Sequence, residues 1–329
     1  VVERVADVAD DVESVVGQYR GFARHYAAGS SPSYARIASA LAQDRRVLDL
    51  VMGLPAGNKR QPNLLLGAVR FLGGPVGDWP EFRAWLVEHW ARVERVVLER
   101  ATQTNEVRRC ATLLPVLAAL PGPLALVEVG ASAGLCLYPD RYRYSYDGGA
   151  PVGPVDGAAV LECATRGPVP VPDRVPQVVW RAGIDLNPLD VADGEDVRWL
   201  ESLIWPGPQE AVRRERLRAA ARVVAEDPPW LVAGDLVERL AGVVAAAPEE
   251  ATVVVFHSAV LPYVPRAGVD AFVEVVRGVR GHWVSNEGWR VFPDWERARP
   301  GVSGRFTLAL DGRVVAYTGE HGQSVSWVG

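Results

Sequence analysis

The sequence predicts an α/β protein: a mostly parallel sheet with helices on both faces, an antiparallel hairpin at its edge, and an all-helical segment in front. Three observations carry this. From Leu124 onward, short apolar runs ending in polar residues alternate with helical stretches. The run Leu124-Ala-Leu-Val-Glu-Val-Gly-Ala-Ser-Ala-Gly-Leu135 reads as a buried strand, a tight glycine turn and the start of a helix. Residues 1–118 carry their apolar side chains at helical spacing.

Taken in order, Val12, Val15, Val16, Tyr19 and Phe22 mark a first helix. Ser31-Pro-Ser-Tyr34 starts a second, with proline in its first turn, expected to run through Ile37, Leu41 and Leu48. Pro62 opens a third through Leu65 and Val69. Trp85, Val93, Val96 and Val97 mark a longer one, expected to reach Thr102. The polar string Gln103-Thr-Asn-Glu-Val-Arg-Arg109 follows, then a helix through Leu113 to Leu120. This gives a helical N-terminal domain, 1–118, placed as a cap on the substrate side. A sheet domain, 119–329, follows, with an insertion at about 138–176.

Strands are expected at 124–129, 177–185, 230–235, 251–257 and 282–287, separated by helices at 196–204, 209–225, 238–247 and 269–279. Asp311-Gly312 between two β-rich runs signals a hairpin, and a last strand covers 324–328. Within the insertion, Asp140-Arg-Tyr-Arg-Tyr-Ser-Tyr-Asp-Gly-Gly149 reads as a hairpin or flap. It either covers the ligand site or forms a homodimer contact.

Of the 329 residues, 49% are hydrophobic and 23% charged, an ordinary globular composition; the net charge of −5 argues against a nucleic-acid groove. Cys110, Cys136 and Cys163 form no C-x-x-C pair, so no metal site is expected and a reducing cytoplasm fits. The apolar stretch 111–127 is broken by Pro115, Pro121 and Pro123, which argues against a membrane helix, and the acidic N-terminus is no secretory signal. A cytoplasmic protein acting on a small molecule is the expectation.

Ligands of such sheets sit beyond the carboxyl ends of the strands, where strand order reverses. Glu128, Asp185, Asp235 and His257 all fall at expected carboxyl ends. A carboxylate beside the glycine turn repels phosphate and favours a cationic or hydroxyl-bearing ligand. His257 is either a satisfied strand-end histidine or a general base, its ordinary pKa of about 6.5 suiting that work. Gln103, Asn105, Glu106 and Arg109 are read as a polar cluster beside the pocket. Glu106 serves there as a base or holds a substrate amine, and Arg109 grips a carboxylate.

The spacing Glu-x-Gly-x-x-x-Gly resembles the first motif of class I S-adenosylmethionine-dependent methyltransferases, whose core is a Rossmann-like sheet. That resemblance implies that Glu128, Gly130, Ser132 and Gly134 contact the methionine part of the cofactor. It likewise implies that Asp185 accepts from the ribose hydroxyls, and that Asp235 and Leu236 border the adenine. His257, Ser258 and Tyr263 would then face the substrate. Two features depart from the pattern: the long insertion before the second strand, and Phe256-His-Ser-Ala-Val-Leu-Pro-Tyr263 in place of an Asn-Pro-Pro-Tyr type sequence. The second favours a small molecule over a nucleic-acid base. The chain as a whole resembles DUF2332, a mainly actinobacterial family of unknown function. The resemblance rests on Ser31-Pro-Ser-Tyr34, Gln103-Thr-Asn-Glu106, Glu128 to Leu135, Asp140-Arg-Tyr142, Arg181-Ala-Gly-Ile-Asp185 and Trp199 to Pro206.

The function implied is methyl transfer to a small molecule. Non-methylating S-adenosylmethionine chemistry (cyclisation or elimination) and a non-catalytic scaffold for a nucleoside or a partner protein are the competing readings. A nicotinamide reductase is disfavoured by the glycine spacing.

Overall fold

A computed structural model describes residues 11–103, 106–296 and 306–328. The chain divides into two compact units, Val1–Thr104 with Asp193–Glu215, and Asn105–Ala192 with Arg216–Gly329.

The first unit is helical among its described residues. Helix α1 (Val12–Gly21) starts where the Asp11 carboxylate accepts from Ser14 N at 2.7 Å, and it continues into a π-turn at Phe22–Ala27. Helix α2 (Pro32–Leu41) is capped by Ser31. The helix expected to run on to Leu48 is split. Asp44 accepts from Val47 N at 3.0 Å and starts a separate α3 (Arg45–Met52). Helix α4 (Pro62–Phe71) begins at its proline as expected.

The long helix expected through Trp85 to Thr102 is also two, α5 (Trp79–Glu88) and α6 (Trp90–Glu99), because His89 leaves helical geometry at ψ 13°. Beyond Glu99 the chain turns extended. There the Lys59 ammonium donates to the carbonyls of Val97, Leu98 and Arg100 at 2.9, 2.9 and 2.8 Å. Two ion pairs, Arg100–Asp196 and Arg70–Glu210, join α6 and α4 to residues that follow much later in the chain.

The second unit opens with α7 (Arg109–Leu117), which ends short of the expected Leu120. Its strands are β1 (Leu124–Val129), β2 (Arg143–Tyr146), β3 (Val160–Arg166), β4 (Val178–Asp185), β5 (Trp230–Ala233), β6 (Thr252–Ser258), β7 (His282–Gly288), β8 (Phe306–Leu310), β9 (Arg313–Thr318) and β10 (Ser324–Trp327). They form one sheet in the order β2-β3-β10-β9-β8-β7-β6-β1-β4-β5. The block β7-β6-β1-β4-β5 is parallel throughout, as are β2-β3 and β3-β10; β7-β8, β8-β9 and β9-β10 are antiparallel. The sheet is therefore mostly parallel, in a mixed α/β protein.

The β8–β9 hairpin forms at Asp311-Gly312, both at positive φ (51° and 80°), as a tight right-twisting turn requires. It does not lie at the sheet edge. β10 pairs with β9 on its outer side, and β3 and β2 continue the sheet beyond. The insertion corrects a second expectation. Arg143–Tyr146 is no two-stranded flap but a strand parallel to β3, with a single antiparallel bridge from Tyr144 to Val152. Its aromatics are packing groups. The hydroxyls of Tyr142, Tyr144 and Tyr146 donate to the carbonyls of Leu135, Pro139 and Ala111 at 2.7, 2.6 and 2.7 Å.

Strand alternation sorts the two faces. Ala125, Val127, Val129, Val253, Val255 and Trp283 pack on one face against α10 (Leu236–Ala245), α11 (Arg266–Gly278), Phe292 and, from α12 (Pro293–Glu296), Trp295. Glu128, Ser258 and Asn286 point to the other face, where Arg109 of α7 donates to the Ser258 carbonyl at 3.0 Å. All six residues of β1 are buried. Between β4 and β5, α9 (Glu210–Glu226) carries the unit boundary at Glu215/Arg216. Helix α8 (Gly194–Ser202) belongs to the first unit. No helix among the described residues is long and apolar enough to cross a membrane.

Lys59→Met should lower stability by about 1–3 kcal/mol, because three carbonyls at the end of α6 lose their common donor. Denaturant unfolding measures this; an unchanged midpoint would contradict the capping role.

Candidate functional site

The strand order reverses at β1, which has β4 on one side and β6 on the other. Five glycine-turn residues, Gly130 to Gly134, leave β1 there. The expected helix does not follow. Leu135–Leu137 is a single 3₁₀ turn, so the glycine turn is not the N-terminus of a helix.

The turn is instead stitched to β4. The N–H groups of Gly130 and Ala131 donate to the Ile184 carbonyl at 2.7 and 3.2 Å, and Gly134 N donates to Ala131 O at 2.7 Å. Ser132 sits at φ 51°, a conformation costly for a side-chain-bearing residue. It is held there by Asp185, whose Oδ2 accepts from Ser132 N at 2.8 Å, while Oδ1 accepts from Asn187 N at 2.8 Å. Gly130, at φ 71°, can carry no side chain: a Cβ there would lie 2.3 Å from a methyl of Val260.

Two polar atoms beside this turn have no hydrogen-bond partner. Glu128 is 7% exposed and its Oε2 accepts no hydrogen bond; Ser132 is 4% exposed and its hydroxyl is likewise unpartnered. Burial pushes the Glu128 carboxyl well above the usual carboxylate range. Cys136 and Asp185 add to this, and the Arg109 guanidinium opposes it. Leaving such groups unsatisfied costs about 1–3 kcal/mol each, which a ligand can recover.

The other sequence-derived residues fall as follows. Arg109 is buried, with Nε on the Glu320 carbonyl at 3.0 Å and Nη1 on the Ser258 carbonyl, so it braces two loops as well as facing Glu128. Glu106 is no free base. Its carboxylate makes a buried two-pronged pair with Arg216, both contacts at 3.1 Å, and accepts from Arg108 N at 3.3 Å. Gln103 is buried in the helical unit, and Asn105 lies outside the described residues. Asp235 is exposed and caps α10, accepting from Val237 N at 2.7 Å; Leu236 packs partly buried against the α10–α11 core. Tyr263 is 39% exposed.

His257 is brought not to Glu128 but to the opposite face. It is wholly buried, with Nδ1 on Glu287 at 2.7 Å and Nε2 accepting from the Trp283 indole at 3.0 Å. Both ring nitrogens are used, so no lone pair is available for the general-base role expected of it. The error has a simple source. Glu128 pairs in register with Phe256, so the next residue, His257, must point the other way.

On the Glu128 face, the site gains residues the sequence did not mark. Asn286 Nδ2 donates to the Ser258 hydroxyl at 3.0 Å, and Asn286 Oδ1 accepts from Thr318 at 2.7 Å. Ala259, immediately after Ser258, is a second strained residue at φ 60°. The Glu320 carboxyl is pushed up by burial, with Arg109 opposing. Cys110 and Cys136, remote in sequence, meet here: Cys110 Sγ donates to Cys136 O at 3.5 Å, and both thiols are free. Cross-strand register brings in Asn286 and Thr318, the β9–β10 turn brings in Glu320, and the packing of α7 on the 3₁₀ turn joins the two cysteines. Among the described residues, no three His, Cys, Asp or Glu side chains gather in a way that could hold a metal. A hollow of about 230 Å³, lined by Trp283, Arg277 and Asp311 among others, opens at the end where β7 begins, away from Glu128.

The pH dependence of stability follows from the sign of the Glu128 shift. The folded protein holds this proton more tightly than the unfolded chain. Its contribution is therefore full below the unfolded pKa of about 4.3 and is lost as pH rises toward the raised folded value. Glu128→Gln should gain stability relative to the parent as pH is raised from about 4 to 8. Thermal unfolding of both proteins across that range checks it, and a constant difference between them would contradict the shift.

No curated protein and no solved structure matches the chain. A family model described as an uncharacterized protein conserved in bacteria, DUF2332, matches residues 17–327, and the chain belongs to that family.

Proposed function

We propose that the protein binds S-adenosylmethionine beside β1 and β4 and transfers its methyl group to a small molecule. One observation carries this reading: the unpartnered, buried carboxyl oxygen of Glu128, with the unpartnered Ser132 hydroxyl, at the point where strand order reverses. Such a pair suits a ligand end that is cationic and rich in N–H donors, as an amino-acid moiety is. Asp185 fits the ribose in part. Its two oxygens accept one backbone N–H each, from Ser132 and Asn187, and it stands at the end of β4 beside the turn, where the ribose would lie. The Glu-x-Gly-x-x-x-Gly spacing supports the same cofactor. The turn fits less well as a phosphate cradle, since its own N–H groups bond within the chain, and this agrees with a ligand lacking phosphate.

When bound, S-adenosylmethionine supplies an electrophilic methyl group. The chain's own residues then have three tasks. Glu128 and Ser132 bind and orient the ligand's polar end. Arg109, Asn286 and Thr318 hold the Ser258 backbone and hydroxyl in place at the neighbouring strand end. The apolar residues around β1 exclude water. Proton removal, if the substrate requires it, falls to a group on this face. Glu320 is the candidate, with its carboxyl raised by burial.

A second reading, a non-catalytic nucleoside-binding scaffold, draws support from the locked state of Glu106 and His257, the two residues best suited by type to acid–base work.

Calorimetry separates these readings. S-adenosylmethionine and S-adenosylhomocysteine should both bind, and Glu128→Gln should weaken each about tenfold, since both carry the amino-acid ammonium group. Absence of binding by either compound would sink the cofactor assignment. Binding without release of S-adenosylhomocysteine in the presence of candidate acceptors would favour the scaffold.

A further inference from the structure

The opposite face of the sheet carries a second group of buried polar atoms without partners. The Glu287 carboxylate receives three donors on one oxygen: His257 Nδ1–H at 2.7 Å, Val260 N at 3.0 Å and Leu261 N at 3.3 Å. Its other oxygen, Oε2, receives none, although the residue is 1% exposed. Two hydroxyls are in the same condition, Ser285 Oγ and Tyr317 Oη, at 1% and 5% residue exposure.

Register places all three on one face. His257 pairs with Ser285 across β6 and β7, and Glu287 pairs with Thr307, which pairs with Tyr317 across β8 and β9. Ser285 and Glu287 are two residues apart on one strand, so they point the same way. Tyr317 is two strands from Glu287, about 10 Å at strand spacing, beyond the reach of a side chain that stands off the sheet, so it lies apart from this pair.

The charge is also unbalanced. An indole N–H can only donate, so His257 Nε2, which accepts it, carries no proton, and the ring is neutral. Among the described residues, His257 is the one group paired with Glu287 that could carry positive charge. A buried carboxylate without a counter-charge is costly. Close by lies an aromatic cluster. Trp283, bonded to His257, contacts Phe292 and Trp295 at ring separations of 5.9 and 5.8 Å.

We propose that Glu287 and Ser285 form a second binding site, for a primary ammonium group, on the sheet face opposite Glu128. Two of the three N–H bonds of such a group match the two neighbouring unpartnered oxygens, Glu287 Oε2 and Ser285 Oγ. Its charge balances Glu287. The site stands independently of the S-adenosylmethionine reading, since none of its ligating atoms faces Glu128.

The test uses the full chain and three salts at equal ionic strength: methylammonium, tetramethylammonium and potassium chloride. Thermal unfolding should shift upward with methylammonium over tetramethylammonium, which has no N–H donor, and over potassium. Ser285→Ala deletes one acceptor and should weaken the methylammonium effect about tenfold, while Tyr317→Phe, outside the pair, should leave it unchanged. Should Ser285→Ala fail to fold, the salt comparison on the parent chain carries the test. Equal shifts with all three salts, or no shift, would overturn the proposal in favour of trapped water. A larger shift with potassium would overturn it in favour of a metal-cation site.

Discussion

Burial of β1 on both faces is the constraint on which the site depends. Every residue of that strand is shut away from water, and the sequence nonetheless places a carboxyl group one residue before its end. A carboxylate there must be paired, protonated or liganded. The protein gives Glu128 no hydrogen-bonded partner for Oε2 and keeps the nearest guanidinium, Arg109, engaged with two backbone carbonyls. The neighbouring turn is held just as firmly, since Asp185 fixes Ser132 in a strained conformation. A rigid strand end with unsatisfied polar atoms is the arrangement expected where binding energy is to be gained from a ligand.

The period of two in a strand then decides which residues can cooperate. Glu128, Ser258 and Asn286 share a face, and His257, Ser285 and Glu287 share the other. One sheet thus separates two polar centres by a layer of backbone. Each is enclosed by its own cover: α7 with the tyrosine-bearing segment on one side, α10 to α12 on the other. The neutral tautomer of His257 follows from this enclosure, since Trp283 and Glu287 between them dictate where its proton sits.

Much of the β-rich half was legible because apolar runs and turn residues are local signals. Asp311-Gly312 needs only its own φ angles to form a hairpin, and β4 to β7 announce themselves by β-branched residues. What the sequence hid was long-range. The position of the hairpin inside the sheet depends on β10 and β3 arriving beside it. The missing helix after Gly134 reflects Tyr142, whose hydroxyl takes the Leu135 carbonyl and ties the segment down as a single 3₁₀ turn. Glu106 and Arg109 looked available as a polar string. Their partners Arg216 and Glu320 lie 110 and 211 residues further on. Glu128 was readable as a carboxyl group at a strand end, but the lack of a partner for its Oε2 is a property of the packed protein.

The most direct measurement is a structure of the protein crystallised with S-adenosylmethionine. The account predicts the ligand's ammonium group within hydrogen-bond distance of Glu128 Oε2 and the Ser132 hydroxyl, with its ribose at Asp185. Ordered water alone between Glu128 and Ser132, or the ligand bound elsewhere, would contradict it.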